Sequence, residues 1–160
     1  INKHIIERNK KNIKNNFISF IVSDGFQGIS KDLYTVPVIS GMGTFTILNI
    51  IEKSNLDFNK IIICSNNNYE ILRRKMNKLG FLIELEEIVK EKNKFYNIII
   101  FKKGKAKYTD KEYFIGVNHT NKKLLNEKTT FLIQKYNMIL NKVPLEKQTV
   151  LKKELDFLKE

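Results

Sequence analysis

The chain lacks tryptophan altogether and has one cysteine, two prolines and three methionines in 160 residues. With Cys64 alone, no internal disulfide is possible, which fits a reducing compartment. No apolar run approaches the roughly 20 residues that a membrane-spanning helix needs, so a cytoplasmic protein without membrane contact is expected. Histidine is limited to His4 and His119. Neither has a companion at metal-ligand spacing, so no metal site is expected and both read as surface residues. Arginine is scarce as well: all but Arg8, Arg73 and Arg74 of the 29 basic residues are lysine.

What the chain has in excess is positive charge, +12 with an isoelectric point near 9.7. Such a balance favours a polyanionic partner, such as nucleic acid or an acidic surface. The alternative is a generically basic surface. Lysine, asparagine and isoleucine are abundant together, as the coding bias of an AT-rich genome would make them.

Along the chain, residues 1–15 read as a polar helix with a weak apolar stripe. Phe17-Ile18-Ser19-Phe20-Ile21-Val22 reads as a strand stopped by Ser23-Asp24-Gly25, and a short helix or turn covers about 28–33. A second strand spans about 35–39. Pro37 within it must face its missing N–H away from a neighbour. A helix runs from Gly43 to about Ser54, a strand over Lys60–Cys64, and a helix from Tyr69 to Leu79 that ends at Gly80. Apolar runs alternating with helices indicate parallel βαβ units. Residues 81–89 and 95–101 then read as two strands whose short charged link makes them an antiparallel hairpin. A long helix over about 119–141 follows. Val143-Pro144 ends it and starts another helix, since proline stops one helix and opens the next. The expected domains are 1–117, an α/β sheet ending in an antiparallel hairpin, and 118–160, an antiparallel helical hairpin. With no other obvious partner, its two apolar stripes should bury against each other.

The most informative motif is Ser40-Gly41-Met42-Gly43, at the end of the run Val36-Pro37-Val38-Ile39. Small residues there let a ligand approach the backbone, and ligands of open α/β sheets bind at the carboxyl ends of strands. Val22-Ser23-Asp24-Gly25 and Ile63-Cys64-Ser65-Asn66 repeat the pattern, suggesting one crevice shared by three strand ends. Asp24-Gly25 also reads as a plain turn and Asn66 as a helix cap before Tyr69. Cys64 reads as a buried strand residue rather than a nucleophile. Arg73 and Arg74 read as a grip for phosphate or as a solvated helix face. Lys102, Lys103, Lys105 and Lys107 form a denser basic patch suited to RNA.

In order and spacing, several segments resemble one family. Val22-Ser23-Asp24-Gly25-Phe26 resembles a Gly-Asp-Gly-Leu strand end, and Ile39-Ser40-Gly41-Met42-Gly43-Thr44 an Ile-Ala-Gly-Met-Gly-Gly motif. Ile63-Cys64-Ser65-Asn66 with Arg73 resembles Leu-Gln-Pro-Asn with a downstream arginine. Glu86, Glu91, Lys94 and Tyr96 resemble the spaced residues of that family's hairpin, and Glu112, Phe114 and Gly116 its Glu-x-x-Phe-Gly segment. The ordered set is similar to the bacterial tRNA (adenine-22 N1)-methyltransferases, which have the class I S-adenosylmethionine-dependent, Rossmann-like fold. Four residues depart from the pattern: Cys64-Ser65 replaces Gln-Pro, Thr44 replaces the last glycine, and Thr35 stands where aspartate is usual.

The resemblance implies a sheet of strand order 3-2-1-4-5-7-6 in which this chain lacks the first two strands and the cofactor motif between them. Strand 17–22 would then lie about 14 Å from its nearest neighbour, three strand spacings away. The chain is accordingly expected to be a C-terminal fragment, about 60–70 residues short, and inactive alone. The implied reaction is methyl transfer from S-adenosylmethionine to N1 of a tRNA adenine. N1 is already nucleophilic when neutral, so the site must position rather than deprotonate. N1 lies on the pairing edge, so the base must be unpaired or flipped out. The resemblance assigns Asp24, Gly25 and Ser40 to the cofactor, and Ser40, Gly41, Met42, Gly43 and Asn66 to the transfer cleft. From their charge, Arg73, Arg74, Lys102, Lys103, Lys105 and Lys107 are the candidates for RNA contact, and the helical pair could clamp tRNA with lysines such as Lys122, Lys123, Lys128 and Lys135, or else be a structural appendage or a dimer surface. Two other readings are a non-catalytic RNA-binding or assembly protein built on this fold, and a methyltransferase-like fold acting on another substrate.

Overall fold

A computed structural model describes residues 3–15, 17–29, 36–54 and 57–159. The elements are α1 (Lys3–Asn12), β1 (Val38–Met42), α2 (Thr44–Glu52), β2 (Lys60–Ser65), α3 (Tyr69–Lys78), β3 (Phe81–Glu91), β4 (Lys94–Lys103), α4 (Asp110–Ile115), α5 (Lys122–Leu140) and α6 (Leu145–Lys159). The sheet order is β1-β2-β4-β3. β1 runs parallel to β2, and β4 is antiparallel to both β2 and β3. This order matches the 4-5-7-6 part of the sheet that the resemblance implies, a mixed α/β sheet ending in an antiparallel hairpin.

The core forms where the inward residues of the sheet meet α2 and α3. Ile61 and Ile63 of β2, Ile99 and Phe101 of β4, Ile47 and Leu48 of α2, and Leu72 and Met76 of α3 are all buried. Burying such side chains is worth about 1.5–3 kcal/mol each, and it aims the carboxyl ends of β1 and β2 at a common edge. Pro37 sits just ahead of β1, and its carbonyl accepts from the Ile62 N–H of β2 at 2.9 Å.

Two expectations in the front half change. Residues 17–22 form no strand: Phe17 is 99% exposed, and Ile18, Ile21 and Val22 are exposed too. Apolar, β-branched composition makes a strand only where a neighbouring strand supplies hydrogen bonds, and among the described residues no strand pairs with this stretch. The helix or turn expected at 28–33 falls largely outside the described residues, as does Thr35. The strand expected at about 35–39 runs instead over Val38–Met42, through a bulge between Ser40 and Met42. Gly41 takes φ +78 there, a conformation glycine adopts without strain.

The C-terminal helices contact each other, but they are not each other's only partners. α6 also packs on α4 and α5 on β3. The rings of Phe114 and Phe157 lie 6.0 Å apart, and Lys153 Nζ lies 2.9 Å from Asp110 Oδ2. The long helix starts at Lys122 rather than 119. Asn118 is left-handed at φ 54 and His119 bridges to Glu86 of β3, which holds the entry out of helical geometry. Among the described residues no helix is long and apolar enough to cross a membrane.

Candidate active site

The tips of β1 and β2 are tied together at the carboxyl edge of the sheet. The Asn66 N–H donates to the Met42 carbonyl at 3.0 Å, and the Thr44 N–H to Asn67 Oδ1 at 3.2 Å. Thr44 Oγ1 lies 2.8 Å from Ser65 Oγ and donates to the Asn67 carbonyl at 2.6 Å. Thr44 and Ser65 are two of the residues that depart from the family pattern. In space they are one buried pair, so each supplies the other with a hydrogen-bond partner. Sequence comparison position by position reads them as separate losses. Asn68 is left-handed at φ 52 where α3 begins, and Asn66 to Asn68 present three exposed amide side chains at the tip.

Tyr69 links this edge to the hairpin. Its hydroxyl donates to the Ser65 carbonyl at 2.6 Å and accepts from the Asn97 N–H at 3.1 Å. Burial pushes its pKa up, so it remains a neutral phenol. Behind it lies a polar cluster inside the apolar core. Arg73 and Glu86, both 0% exposed, form a bidentate pair at 2.8 and 2.7 Å. The guanidinium also caps the end of α4 by donating to the carbonyls of Tyr113 and Phe114 at 2.8 and 3.1 Å. Glu86 accepts from Asn97 Nδ2 at 3.2 Å and from the Val117 N–H at 3.2 Å. Gly116 makes room for it, since a Cβ there would fall 2.5 Å from Glu86 Oε1.

This cluster corrects the reading of Arg73 as a phosphate grip. A fully buried guanidinium already bonded to a carboxylate and to backbone carbonyls has no donor left for RNA. The signal was present in the helical spacing: Tyr69, Leu72, Arg73 and Met76 lie at i, i+3, i+4 and i+7 on one face. Arg74 is committed as well, to Glu70 at 2.9 Å and Asp110 at 2.7 Å, and it lies 4.4 Å over the Tyr113 ring. Hydrogen bonds from Lys153 and Arg74 hold the Asp110 carboxyl down to about 2. His119 is buried rather than on the surface. Desolvation lowers its pKa, and its Nε2 lies 3.2 Å from the Ile115 carbonyl.

The other expected site residues fall in three places. Ser40, Gly41, Met42, Gly43 and Asn66 come together at the paired tips. Asp24 and Gly25 do not join them. Gly25 packs against Ile50 in the last turns of α2, and the Phe26 ring lies 4.8 Å from that of Phe58, ahead of β2. Both contacts lie toward the opposite edge of the sheet. Without strand pairing to aim it, the turn settles where Phe26 finds apolar surface. Lys102 and Lys103 lie at that opposite edge too: β4 is antiparallel, so Lys102 pairs with Lys60 at the start of β2, and Lys105 and Lys107 follow them. All four are exposed, and Lys103 pairs with Asp57. Cys64 is partly buried, and burial raises its thiol pKa.

Next to the tips opens a cleft of about 1100 Å³ between the sheet and the C-terminal helices. Asn66–Asn68 and Tyr69 form one wall, Phe95 and Tyr96 of the hairpin a second, and Lys128, Phe131 and Lys135 of α5 a third. Sequence reading missed this cleft because its walls come from three separate segments that share no motif.

Known structures carry the same fold. M. capricolum TrmK, solved with S-adenosyl-homocysteine, superposes with a TM-score of 0.83 at 24% identity, over 99% of this chain and 76% of that one. A Streptococcus agalactiae protein of the NADB-Rossmann superfamily matches with a TM-score of 0.75 at 25% identity over 87% of this chain. The chain spans only 65% of that protein's length. B. subtilis m1A22 tRNA methyltransferase TrmK gives a TM-score of 0.70 at 18% identity, over 98% of this chain and 74% of that one. Comparison with curated proteins gives no match. A family model described as TrmK, tRNA (adenine(22)-N(1))-methyltransferase, matches residues 3–160, and on that match across nearly its whole length the chain belongs to the TrmK family.

Proposed function

We propose that this chain serves S-adenosylmethionine-dependent methylation of adenine N1 in tRNA, with the β1 and β2 tips as the transfer edge. The observation that carries the reading is the tie between Met42 and Asn66, reinforced by Thr44 and Ser65. It fixes two strand tips side by side where ligands of such sheets bind. The M. capricolum relative was solved with S-adenosyl-homocysteine, which supports a cofactor of that class. The β1 tip fits it: Gly41 has nothing within 4 Å of a Cβ position, so a ligand can approach the backbone closely. The Asp24–Gly25 turn, where described, does not reach that place.

S-adenosylmethionine supplies an electrophilic methyl group. The residues of this chain have positional tasks. Ser40 to Gly43 shape the edge along which the base and the methyl donor meet. The Asn66 amide offers a donor and an acceptor to the pairing edge of an extruded adenine. No general base is required, and Tyr69, the titratable group bonded to the tip, is held neutral.

β1 is an edge strand, and Val38 on it is 68% exposed. This supports a sheet completed on the β1 side by further strands, between β1 and the 17–22 segment. In that arrangement Asp24 and Gly25 would be aligned to take the cofactor, and the described four strands would be the substrate half of the site. The second reading, a non-catalytic RNA-binding protein, is favoured by the displaced Asp24–Gly25 turn. Deleting the gene and mapping N1-methyladenine across bulk tRNA separates the two. Loss at one adenine supports the enzyme. Unchanged methylation, with the purified chain still binding tRNA, supports the binding protein.

A further inference from the structure

Lys128 of α5 lies in the wall of the cleft with most of its length buried, and its Nζ donates to Asn97 Oδ1 at 2.6 Å. Asn97 in turn donates to Glu86, the carboxylate already held bidentately by Arg73. The connected cluster therefore contains two cations and one carboxylate. Among the described residues no carboxylate lies within ion-pair distance of Lys128. The two acidic residues of the cleft wall are otherwise engaged, Glu70 with Arg74 and Glu154 with the Tyr136 hydroxyl. Burial draws the Lys128 ammonium down to about 8, helped by Arg73 and opposed by Glu86, so it stays mainly charged at neutral pH. A desolvated cation without a counter-ion is costly unless an anion arrives to meet it.

The surroundings select the anion. Lys94 and Lys135 add positive charge to the same cleft, and Phe95, Tyr96 and Phe131 offer aromatic faces. Cations interleaved with aromatic rings suit a single-stranded nucleic acid, whose phosphates take the charge while its bases stack. The cleft opens directly beside Asn66 at the transfer edge, so a strand lying in it would run into the proposed site.

We propose that Lys128 holds a backbone phosphate of single-stranded RNA in the cleft between the sheet and α5, next to the nucleotide presented at the strand tips. The choice of RNA rests on the tRNA reading above; the phosphate site rests on the unbalanced cluster.

The test is binding of a fluorescent single-stranded RNA pentanucleotide to the 160-residue chain, its K128M variant and its K128R variant, across a salt series. K128M is expected to bind at least about tenfold more weakly, as loss of a charge-assisted contact implies. Its slope of log affinity against log salt should be shallower by about 0.7, the value for one phosphate on a single strand. K128R should retain most of the affinity. Methionine removes the desolvated charge but also the donor to Asn97 Oδ1, so melting curves of all three proteins, each cooperative, separate a lost contact from a lost fold. If K128M proves unstable, K128Q takes its place. Equal affinity and slope in all three proteins would overturn the proposal. So would a melting shift with millimolar inorganic phosphate that depends on Lys128 while the RNA affinity does not. Because the readout is binding of an oligonucleotide, it stands or falls separately from methylation of tRNA.

Discussion

Two stretches of this chain have nearly the same local character and opposite fates. Residues 17–22 and 95–101 are both short, apolar, β-branched and aromatic. The second is the centre of β4, bonded on both sides, with Ile99 and Phe101 fully buried. The first forms no strand and leaves Phe17 bare to solvent. The difference is neighbours. β3 meets β4 through a two-residue turn, Lys92-Asn93, and that proximity makes pairing cheap in chain entropy. Among the described residues no strand pairs with 17–22.

The largest expected effect comes from the middle of the well-paired region. Glu86→Gln strands the Arg73 charge in the core and should cost about 3–5 kcal/mol, read as a shift in the urea midpoint. Phe101→Ala should cost a comparable 3–5 kcal/mol through cavity formation. An equilibrium melt showing either variant near wild type would mean the hairpin core is looser than described. Smaller, and confined to the tips, is Thr44→Val, at about 1–2 kcal/mol for a buried hydroxyl left short of a partner. Adding Ser65→Ala should cost less than the sum of the two single changes, because the hydroxyls partner each other. Strict additivity would dissolve the pair.

A pH series sharpens the comparison without touching the sheet. Lys128 has a folded pKa below its unfolded value, about 8 against 10.5. The unfolded chain therefore binds the extra proton between these values, and stability should rise as pH increases from about 8 toward 10.5. K128M should lack that rise in thermal melts. The smallest effect belongs to the unpaired stretch: Phe17→Ser should change stability by less than about 0.5 kcal/mol. A large loss would show that 17–22 is packed after all.

Much of the fold was legible because its signals are local. The Ile61 to Ile63 run, the stop at Gly80, the short hairpin link and Pro144 at the head of α6 each act within a few residues. The parts that were not legible depend on partners distant in sequence. Simple alternation along β3 from Phe81 and Ile83 would turn Leu85 inward. A bulge between Ile83 and Leu85 shifts the phase, so Glu86 and Ile88 face the core instead. Without knowing that, no pattern pairs Glu86 with Arg73. The site divided the same way. The β1 and β2 tips were readable as motifs, since each is a strand end with small or polar residues. The cleft wall was readable only as a lysine-bearing helical pair that could clamp RNA, because what sets Lys128 apart from the other lysines is Asn97 and the cluster behind it.

The most direct test of the central claim is the modification map of bulk tRNA from cells with and without this gene. Methyl transfer through the paired strand tips predicts that N1-methyladenine disappears at one position and returns with the wild-type gene. An identical N1-methyladenine profile in both strains would contradict the account and leave the chain as an RNA-binding protein on a methyltransferase fold.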